Sequence, residues 1–529
     1  MARVLLLLLA GLSGGLCQEA PQVQTRNGSY TGVHLPLLNQ DYFLGMPFAQ
    51  PPVQGPLRFS PPVSLNTSWT GSRDATQFGN ICYGYGNDNN RLAALGFKIS
   101  EDCLSINVVR PSNYTDQSLP VAVYIYGGGY FQGGSADPRL NFSSIIRDSV
   151  TAGKPIIGVS FNYRLSAFEN IAAFGGDPTK VTIFGNSAGA GSVGAQLLAY
   201  NGRDDGLFRG AISQSGAPCF NTVLDIAKWD EVYENITLAT GCTTTDTLEC
   251  LRNIPIEVLN AVVNSTATSG ASYGLVFDGD FVANAPGAQL AKGNFVKVPY
   301  IIGHNTDEGS AFIPGNNFDN ATFYPTSKID TDEQFREYIV SLKANETVAS
   351  RVFDLYRKNA TEQALATYPD DLGAELGYQY KRAVTLAGDS NIIAPTRYTA
   401  QMWAAYNVPL YKYRWDVIVS GLPRYIGATH AKEIFFVFDD QSRDDYDVWP
   451  LQDKPQSFSE LASIMATAWA SFVATGDPNS NGSGECVNGT RWPLYSESKK
   501  NFVFTGNVTS HVEDDDTREQ EIGFLSSLF

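Results

Sequence analysis

The chain has 529 residues, of which 43% are hydrophobic and 17% are charged, and its formal net charge is −17. This composition is typical of a globular protein with a substantial core and not of a disordered chain. The sequence has no run of Lys and Arg, and its acidic balance argues against a nucleic-acid-binding protein, because phosphate binding requires clustered positive charge.

The amino-terminal segment 1–17 is predicted to be a secretory signal peptide. Arg3 precedes the apolar run 4–10, and small residues follow as far as Cys17. This order is typical of a signal peptide, and the run is too short to span a membrane. Twelve N-x-S/T acceptor patterns also favour export; they lie at Asn27, Asn66, Asn113, Asn141, Asn235, Asn264, Asn320, Asn345, Asn359, Asn481, Asn488 and Asn507. We expect a secreted, extracellular glycoprotein without a transmembrane segment.

Removal of segment 1–17 leaves an even number of cysteines, which suits an oxidising compartment. They are Cys82, Cys103, Cys219, Cys242, Cys250 and Cys486. None of them forms a C-x-x-C pattern, so a zinc site is not expected.

Short runs of β-branched and aromatic residues alternate with helical patterns. Strands are predicted at 121–126, 155–163, 181–184, 208–213, 299–302, 409–414 and 502–504, and helices at 331–343, 346–358, 391–406 and 457–475. This alternation favours an α/β fold with a mostly parallel sheet and helices on both faces. The sequence has no repeat and no low-complexity linker, so residues 18–529 are predicted to form a single domain.

Ser187 is the candidate nucleophile. It lies in Gly185-Asn-Ser-Ala-Gly189, which matches G-x-S-x-G, directly after a predicted strand and before a run of small residues. A strand, a strained glycine-flanked turn and a helix are the context of a nucleophile elbow. The glycines Gly127-Gly-Gly129 follow an earlier strand, and we expect the amides of Gly128, Gly129 and Ala188 to form an oxyanion hole.

His430 is the candidate base. The chain has four histidines, and a hydrolase of this type places its histidine after both the serine and the acid, which excludes His34 and His304. His511 lies in a tail rich in Asp, so His430 is selected by order and by elimination. The acid is expected at the end of the strand near 299–302, where Asp307 and Glu308 are adjacent. Physical reasoning from the sequence does not separate these two carboxylates, since either could hold the imidazole in the required tautomer.

Several long motifs in the same order resemble the type-B carboxylesterase/lipase family, which includes cholinesterases and fungal lipases. They are Gly45-Met-Pro-Phe-Ala49, Ser100-Glu-Asp-Cys-Leu-Ser-Ile-Asn107, Phe174-Gly-Gly-Asp-Pro178 leading into the elbow, Ala211-Ile-Ser-Gln-Ser-Gly216 and Asp307-Glu-Gly-Ser310. The resemblance extends from about residue 22 to 527. It implies the α/β-hydrolase fold, Glu308 as the acid, and the disulfides Cys82–Cys103 and Cys242–Cys250; Cys219 and Cys486 are left either free or paired with each other.

The chain departs from the family pattern in two places. Asn186 stands before the nucleophile, where the family usually has Glu, so a charge beside the site is lost. Between Leu165 and Glu169, roughly 25–30 family residues are absent, which leaves 164–180 as the whole crossover between two parallel strands, close to the minimum of about a dozen residues. An error in the gene model and a real deletion both explain this gap; a transcript that reads continuously through codons 160–175 would exclude the error.

These residues together predict a serine hydrolase that cleaves carboxylic esters of small molecules or lipids, without a metal or an organic cofactor. The loop between Cys82 and Cys103 holds 20 residues. Family lipases tend to have a longer lid there, so the short loop favours soluble esters over lipid droplets. The alternative is a non-catalytic binding protein, or a catalytically impaired one, on the same fold, because fold does not fix function.

Overall fold

The structure is a computed structural model, and it describes residues 19–114, 117–163, 168–219, 226–265, 274–313, 328–342, 345–357, 376–443, 446–480, 487, 489–506 and 510–529. The expected signal peptide and Cys486 lie outside these residues. No helix among them is long and apolar enough to cross a lipid bilayer.

The described strands form an eleven-stranded mixed sheet and a three-stranded sheet. They are β1 (Gln22–Gln24), β2 (Ser29–Thr31), β3 (Val33–Leu35), β4 (Gln40–Pro47), β5 (Ser72–Asp74), β6 (Ser105–Pro111), β7 (Leu119–Ile125), β8 (Ile157–Phe161), β9 (Gly176–Asn186), β10 (Gly210–Gln214), β11 (Tyr300–Asn305), β12 (Leu410–Asp416), β13 (Lys500–Thr505) and β14 (His511–Asp514).

The large sheet has the strand order β14-β13-β12-β11-β10-β9-β7-β8-β6-β4-β3. Strands β8, β7, β9, β10, β11, β12 and β13 pair in parallel, and the strands outside them pair antiparallel. The carboxyl ends of the parallel strands therefore share one edge of the sheet. The loops that follow β7, β9 and β11 leave from this edge, which is where open α/β sheets bind ligands.

The described helices are α1 (Asn87–Ala94), α2 (Ser143–Thr151), α3 (Ala188–Gly202), α4 (Ile226–Thr240), α5 (Thr247–Asn253), α6 (Ile256–Val263), α7 (Pro286–Ala291), α8 (Asp332–Ser341), α9 (Glu346–Leu355), α10 (Tyr380–Gly388), α11 (Ala394–Ala405), α12 (Ile434–Phe438), α13 (Gln456–Thr475), α14 (Tyr495–Ser498) and α15 (Glu519–Ser526). Helix α8 begins where the sequence predicts, because Thr331 and Gln334 form a capping box.

Alternate residues of the central strands pack into two different cores. Tyr124 of β7 and Phe184 of β9 lie in one core, which also contains Trp469 of α13. Val123 and Ile183 lie in the other core, on the opposite face of the sheet. The central strands are therefore apolar on both sides, and this explains why they appear in the sequence as continuous apolar runs.

All seven predicted strands are present, and the four predicted helices overlap α8, α9, α11 and α13. The helix predicted from residue 391 begins at Ala394 instead, because a π-helical turn, Asp389–Ile393, joins it to α10. Strands β1, β2 and β5 of the small sheet were missed, and so were strands β3, β4, β6 and β14 of the large sheet. The latter four pair antiparallel at the two sides of the sheet, and their residues do not form the long apolar runs of the parallel strands.

The crossover from β8 to β9 is even shorter than the predicted range of 164–180. Strand β9 begins at Gly176 and not at 181, so residues 162–175 make the whole connection. It contains a 3₁₀ helix, Phe168–Phe174, in which Ile171 and Phe174 are buried in the core against the sheet. Residues 164–167 lie outside the described part of the chain.

We infer that residues 18–529 form a single domain. The large sheet takes its strands from residue 33 to residue 514, so one continuous sheet draws on nearly the full length of the described chain.

A buried carboxylate pair beside α2 makes the stability of this fold dependent on pH. Arg147 contacts Asp148 at 2.9 Å and Asp439 at 2.6 Å. Burial, followed by the neighbouring Asp439, raises the pKa of Asp148 to about 7 from its ordinary value of 3.8. Because the unfolded chain loses this proton at lower pH than the folded chain, the pair reduces stability as pH rises from about 4 to about 7.

The variant Asp148→Asn is therefore expected to gain thermal stability relative to the parent at pH 8 but not at pH 4. The amide carries no charge that Asp439 could repel, and its oxygen can still accept from Arg147. Melting temperatures of both proteins across this pH range measure the effect. A difference between them that is the same at both ends of the range would contradict the expectation.

Candidate active site

Ser187 lies in a sharp turn between β9 and α3. Its φ is 56° and its ψ is −122°, and its amide donates to the carbonyl of Gln214 at 2.8 Å. A Cβ atom built on Gly189 would lie 2.0 Å from the carbonyl oxygen of Ile125, and one on Gly185 would lie 2.6 Å from the backbone of Gly189. Only glycine fits at both flanking positions, so the G-x-S-x-G pattern has a steric cause in this fold.

Ser187, His430 and Glu308 form a continuous hydrogen-bonded chain. The Nε2 atom of His430 lies 2.7 Å from Oγ of Ser187, and its Nδ1 atom lies 2.6 Å from Oε2 of Glu308. Glu308 is fully buried, and only 7% of His430 is exposed. A carboxylate on Nδ1 favours the tautomer with its proton there, which leaves the Nε2 lone pair directed at the hydroxyl.

Asp307, the other candidate acid, does not contact His430 among the described hydrogen bonds. Its Oδ2 atom accepts the backbone amide of Ala428 at 2.8 Å. Burial raises its pKa to about 6, and the hydrogen bond from Ala428 opposes that shift. Asp307 thus holds the loop that leads to His430, whereas Glu308 reaches the imidazole itself.

The loop that carries His430 is fixed on the side of the acid. Asn305 donates through Nδ2 to the carbonyl of Thr429 at 2.8 Å, and Ser310 donates to the hydroxyl of Thr429 at 2.7 Å. The ring of Phe312 packs on the imidazole, with a centroid distance of 4.9 Å. These contacts restrict the orientation of the His430 ring.

The other three histidines are placed elsewhere. His34 lies 2.9 Å from Oδ1 of Asp41 on the antiparallel side of the sheet. His304 is buried within β11, where burial and then the charge of Lys412 lower its pKa. His511 lies on β14 and is exposed. Selection of His430 by chain order and elimination therefore agrees with the contacts.

The predicted oxyanion loop lies against the nucleophile. A Cβ atom built on Gly127 would be 3.2 Å from Cβ of Ser187, so a larger residue there would crowd the serine. Gly128 and Gly129 have φ values of 107° and 64°, and the carbonyl of Gly128 accepts from the amides of Phe131 and Gln132. Ala188 is the first residue of α3 and is buried. The three predicted donors thus belong to segments that meet at Ser187.

Glu433 was missed by sequence reasoning. It lies three residues after His430, is fully buried, and accepts hydrogen bonds at both carboxylate oxygens. One donor is Asn186, whose Nδ2 lies 2.6 Å from Oε1. One feature of the sequence indicated this contact. Asn186, an uncharged amide, stands beside the nucleophile where the family usually has an acid.

Both disulfides that the resemblance implies are present, Cys82–Cys103 and Cys242–Cys250. The first closes the short loop that contains α1. Cys219 is a buried free thiol whose Sγ lies 3.5 Å from the carbonyl of Pro395. The described residues contain no group of His, Cys, Asp and Glu that could hold a metal ion.

Known proteins match nearly the whole chain. The model of the carboxylesterase family matches residues 19–169 and 168–525, two stretches that meet where the crossover is short. Lipase 4 of Diutina rugosa is 33% identical over 91% of this chain and 90% of its own. Secreted lipase 1 of Botryotinia fuckeliana is 33% identical over 86% of this chain and 84% of its own.

A solved structure matches as well. The crystal structure of EstA from Aspergillus niger has a TM-score of 0.78 and 27% identity, and the match covers 96% of this chain and 98% of that one. The predicted α/β-hydrolase fold is therefore confirmed, as is the prediction of a carboxylic ester hydrolase. Because the family model matches nearly the whole length of this chain, the chain belongs to the carboxylesterase family.

Proposed function

We propose that this protein is a secreted serine hydrolase that cleaves carboxylic esters through an acyl-enzyme on Ser187. The observation that supports this most strongly is the chain of two short hydrogen bonds from Ser187 through His430 to Glu308. A buried carboxylate, an oriented imidazole and a hydroxyl on a strained turn together form an activated nucleophile.

The reaction follows from this arrangement. Oγ of Ser187 attacks the ester carbonyl while Nε2 of His430 takes its proton, and Glu308 stabilises the imidazolium that forms. The amides of Gly128, Gly129 and Ala188 hold the negative charge on the carbonyl oxygen, a role in which a single donor contributes about 3 kcal/mol. His430 then protonates the leaving alcohol, and it later activates the water that hydrolyses the acyl-enzyme.

Several features support export to the extracellular space. The expected signal peptide, the two disulfides and the many glycosylation patterns all suit an oxidising secretory route. A relative that is 33% identical over 86% of this chain is named a secreted lipase. The alternative of a non-catalytic binding protein is less well supported, because the serine, the base and the acid are all present and in contact.

The substrate class is proposed to be soluble short-chain esters. The disulfide-closed loop 82–103 is short and contains a single two-turn helix, α1, so it offers little apolar surface to cover a long acyl chain.

The protein collected from the culture medium of a secreting host is expected to hydrolyse p-nitrophenyl acetate and butyrate with higher kcat/KM than the palmitate ester. The initial rates of all three esters, at equal enzyme concentration and with the palmitate ester dispersed in detergent, give the ranking. A higher kcat/KM for palmitate would identify a lipase instead. Absence of the protein from the medium would contradict the proposal of secretion.

A further inference from the structure

The disulfide loop, residues 82–103, lies against the oxyanion turn, residues 128–132, through contacts that the reaction described above does not use. The backbone amide of Tyr85 donates to the carbonyl of Phe131 at 2.7 Å. A Cβ atom built on Gly84 would lie 2.7 Å from that same carbonyl oxygen, so only glycine allows the loop to approach this closely. The disulfide loop and the oxyanion turn are therefore in direct backbone contact.

Asn89 is a buried amide that joins the same two segments. Only 2% of it is exposed. Its Oδ1 accepts the backbone amide of Gly133 at 3.0 Å, and its Nδ2 donates to the carbonyl of Cys82 at 3.0 Å. The preceding residue, Asp88, donates its backbone amide to Oε1 of Gln132 at 3.2 Å. A buried amide that makes hydrogen bonds on both sides holds its two partners in one arrangement.

Apolar packing and charge fix helix α1 of the disulfide loop in the same place. Leu92 of α1 and Ile81 are fully buried, and they pack with Ala136 of the segment that follows the oxyanion turn. Ion pairs also cross between these segments, Arg139 with Asp88 at 2.5 Å and Arg91 with Asp137 at 3.1 Å. Partly exposed ion pairs each contribute little to stability, so the buried amide of the preceding paragraph supplies the more specific constraint.

The oxyanion turn sets the direction of one proposed oxyanion donor. The carbonyl of Gly128 accepts from the amides of Phe131 and Gln132 at 3.2 and 3.1 Å. That carbonyl shares one planar trans peptide unit with the amide of Gly129, so the two groups point in opposite directions. Hydrogen bonds on the carbonyl therefore fix the direction of the Gly129 N–H. A looser turn would let this peptide unit rotate away from the reacting carbonyl.

We propose that Asn89 is a positioning residue for the oxyanion donor of Gly129, and that the disulfide loop acts through it as a fixed support for the oxyanion turn. This inference rests on the proposed function, because the oxyanion forms only when Ser187 attacks the ester carbonyl. Asn89 acts through the turn and not on the reacting atoms. The disulfide loop thereby takes part in catalysis.

The first test is Asn89→Ala, which removes both hydrogen bonds of the side chain. We expect kcat for p-nitrophenyl butyrate to fall about 30-fold, which is less than the roughly 10²–10³-fold cost of losing a whole oxyanion donor. KM should change little, since the oxyanion is absent from the bound substrate. Rates are divided by the concentration of reactive Ser187, which is titrated to completion with an organophosphate.

The second measurement is inhibition by propyl trifluoromethyl ketone, which reports on the oxyanion site directly. Oγ of Ser187 bonds to the ketone carbon, the π electron pair of the carbonyl moves to its oxygen, and Nε2 of His430 takes the serine proton. The oxyanion that results needs the same amide donors as the ester reaction. The Ki of Asn89→Ala should therefore rise by about the same factor as kcat falls. A role in folding alone would leave the Ki of the titrated sites unchanged.

Asn89→Asp separates the two hydrogen bonds of the side chain. Its carboxylate can still accept the amide of Gly133 but cannot donate to the carbonyl of Cys82. We expect thermal stability to fall, because a buried charge is added, while kcat and Ki lie between the values of the parent and those of Asn89→Ala.

The matched control is Asn479→Ala, at a site outside the catalytic region. Asn479 is 1% exposed, its Oδ1 accepts the backbone amide of Trp492 at 2.7 Å, and its Nδ2 donates to the carbonyl of the same residue at 2.9 Å. The substitution thus removes the same two kinds of hydrogen bond as Asn89→Ala. This variant is expected to lose thermal stability but to keep the kcat and the Ki of the parent.

Several outcomes would overturn the proposal. They are parental kcat and Ki in Asn89→Ala, a fall in kcat without a rise in Ki, and an equal loss of kcat in Asn479→Ala or in Asn89→Asp. If neither position 89 variant gives a titratable serine while Asn479→Ala does, Asn89 serves the fold alone and the positioning role is wrong. If instead parental hydrolysis does not depend on Ser187, the proposed function fails, and this is seen before any position 89 variant is made.

Discussion

Replacement of Ser187 by alanine is expected to reduce kcat/KM for p-nitrophenyl butyrate by at least about 10⁴-fold, the largest effect of any single substitution in this protein. The hydroxyl is the only atom on the strained turn that can form the acyl-enzyme. Its removal leaves the oxyanion amides and the binding surface intact, so a small residual rate over water should persist. Steady-state kinetics on the purified variant and parent measure the difference.

Ser213→Ala is the matched control for this experiment. Ser213 is a buried serine one strand away on β10, and its Oγ accepts from the hydroxyl of Tyr300 at 2.6 Å. Loss of this hydroxyl should lower stability slightly and leave most of the activity. Comparable activity in Ser187→Ala and the parent would refute the acyl-enzyme on Ser187, provided that both proteins melt cooperatively.

The adjacent carboxylates Asp307 and Glu308 are expected to differ widely in their importance for catalysis. Glu308→Gln should reduce kcat by about 10³–10⁴-fold, because the amide no longer requires a proton on Nδ1 of His430 and no longer stabilises the imidazolium. Asp307→Asn should reduce kcat less than about tenfold, since its carboxylate contacts the amide of Ala428 and its replacement can still accept that bond. Rates of both variants at pH 8 test this.

These two variants are controls for each other, because both remove one buried negative charge from the same turn. An effect that came from charge alone would be similar in both. Equal losses would therefore show that the contact between Glu308 and His430, at 2.6 Å, is not what orients the base. A larger loss of kcat in Asp307→Asn than in Glu308→Gln would show that Asp307, and not Glu308, is the acid.

The candidate nucleophile and base could be predicted from the sequence because their signals are local or depend on chain order. Gly185 and Gly189 mark a turn in which a Cβ atom would clash, and this constraint appears directly as residue type. The position of His430 follows from order and elimination, since only His430 and His511 come after the serine and the acid, and His511 lies in a tail rich in Asp. The parallel strands could also be predicted from the sequence, because burial on both faces makes them continuous apolar runs.

The tertiary structure decided what depends on contacts between distant segments. The choice between Asp307 and Glu308 depends on how their turn meets the 427–430 loop, more than a hundred residues away, so neighbouring acids of the same charge look equivalent in the sequence. Glu433 itself, at the start of α12, carries no local signal, because its partners Asn186 and Asn305 lie on β9 and β11, remote in the sequence. The sequence thus determined the fold class and the reactive hydroxyl, whereas packing decided which carboxylates serve it, because side-chain direction is set by the elements that meet in space.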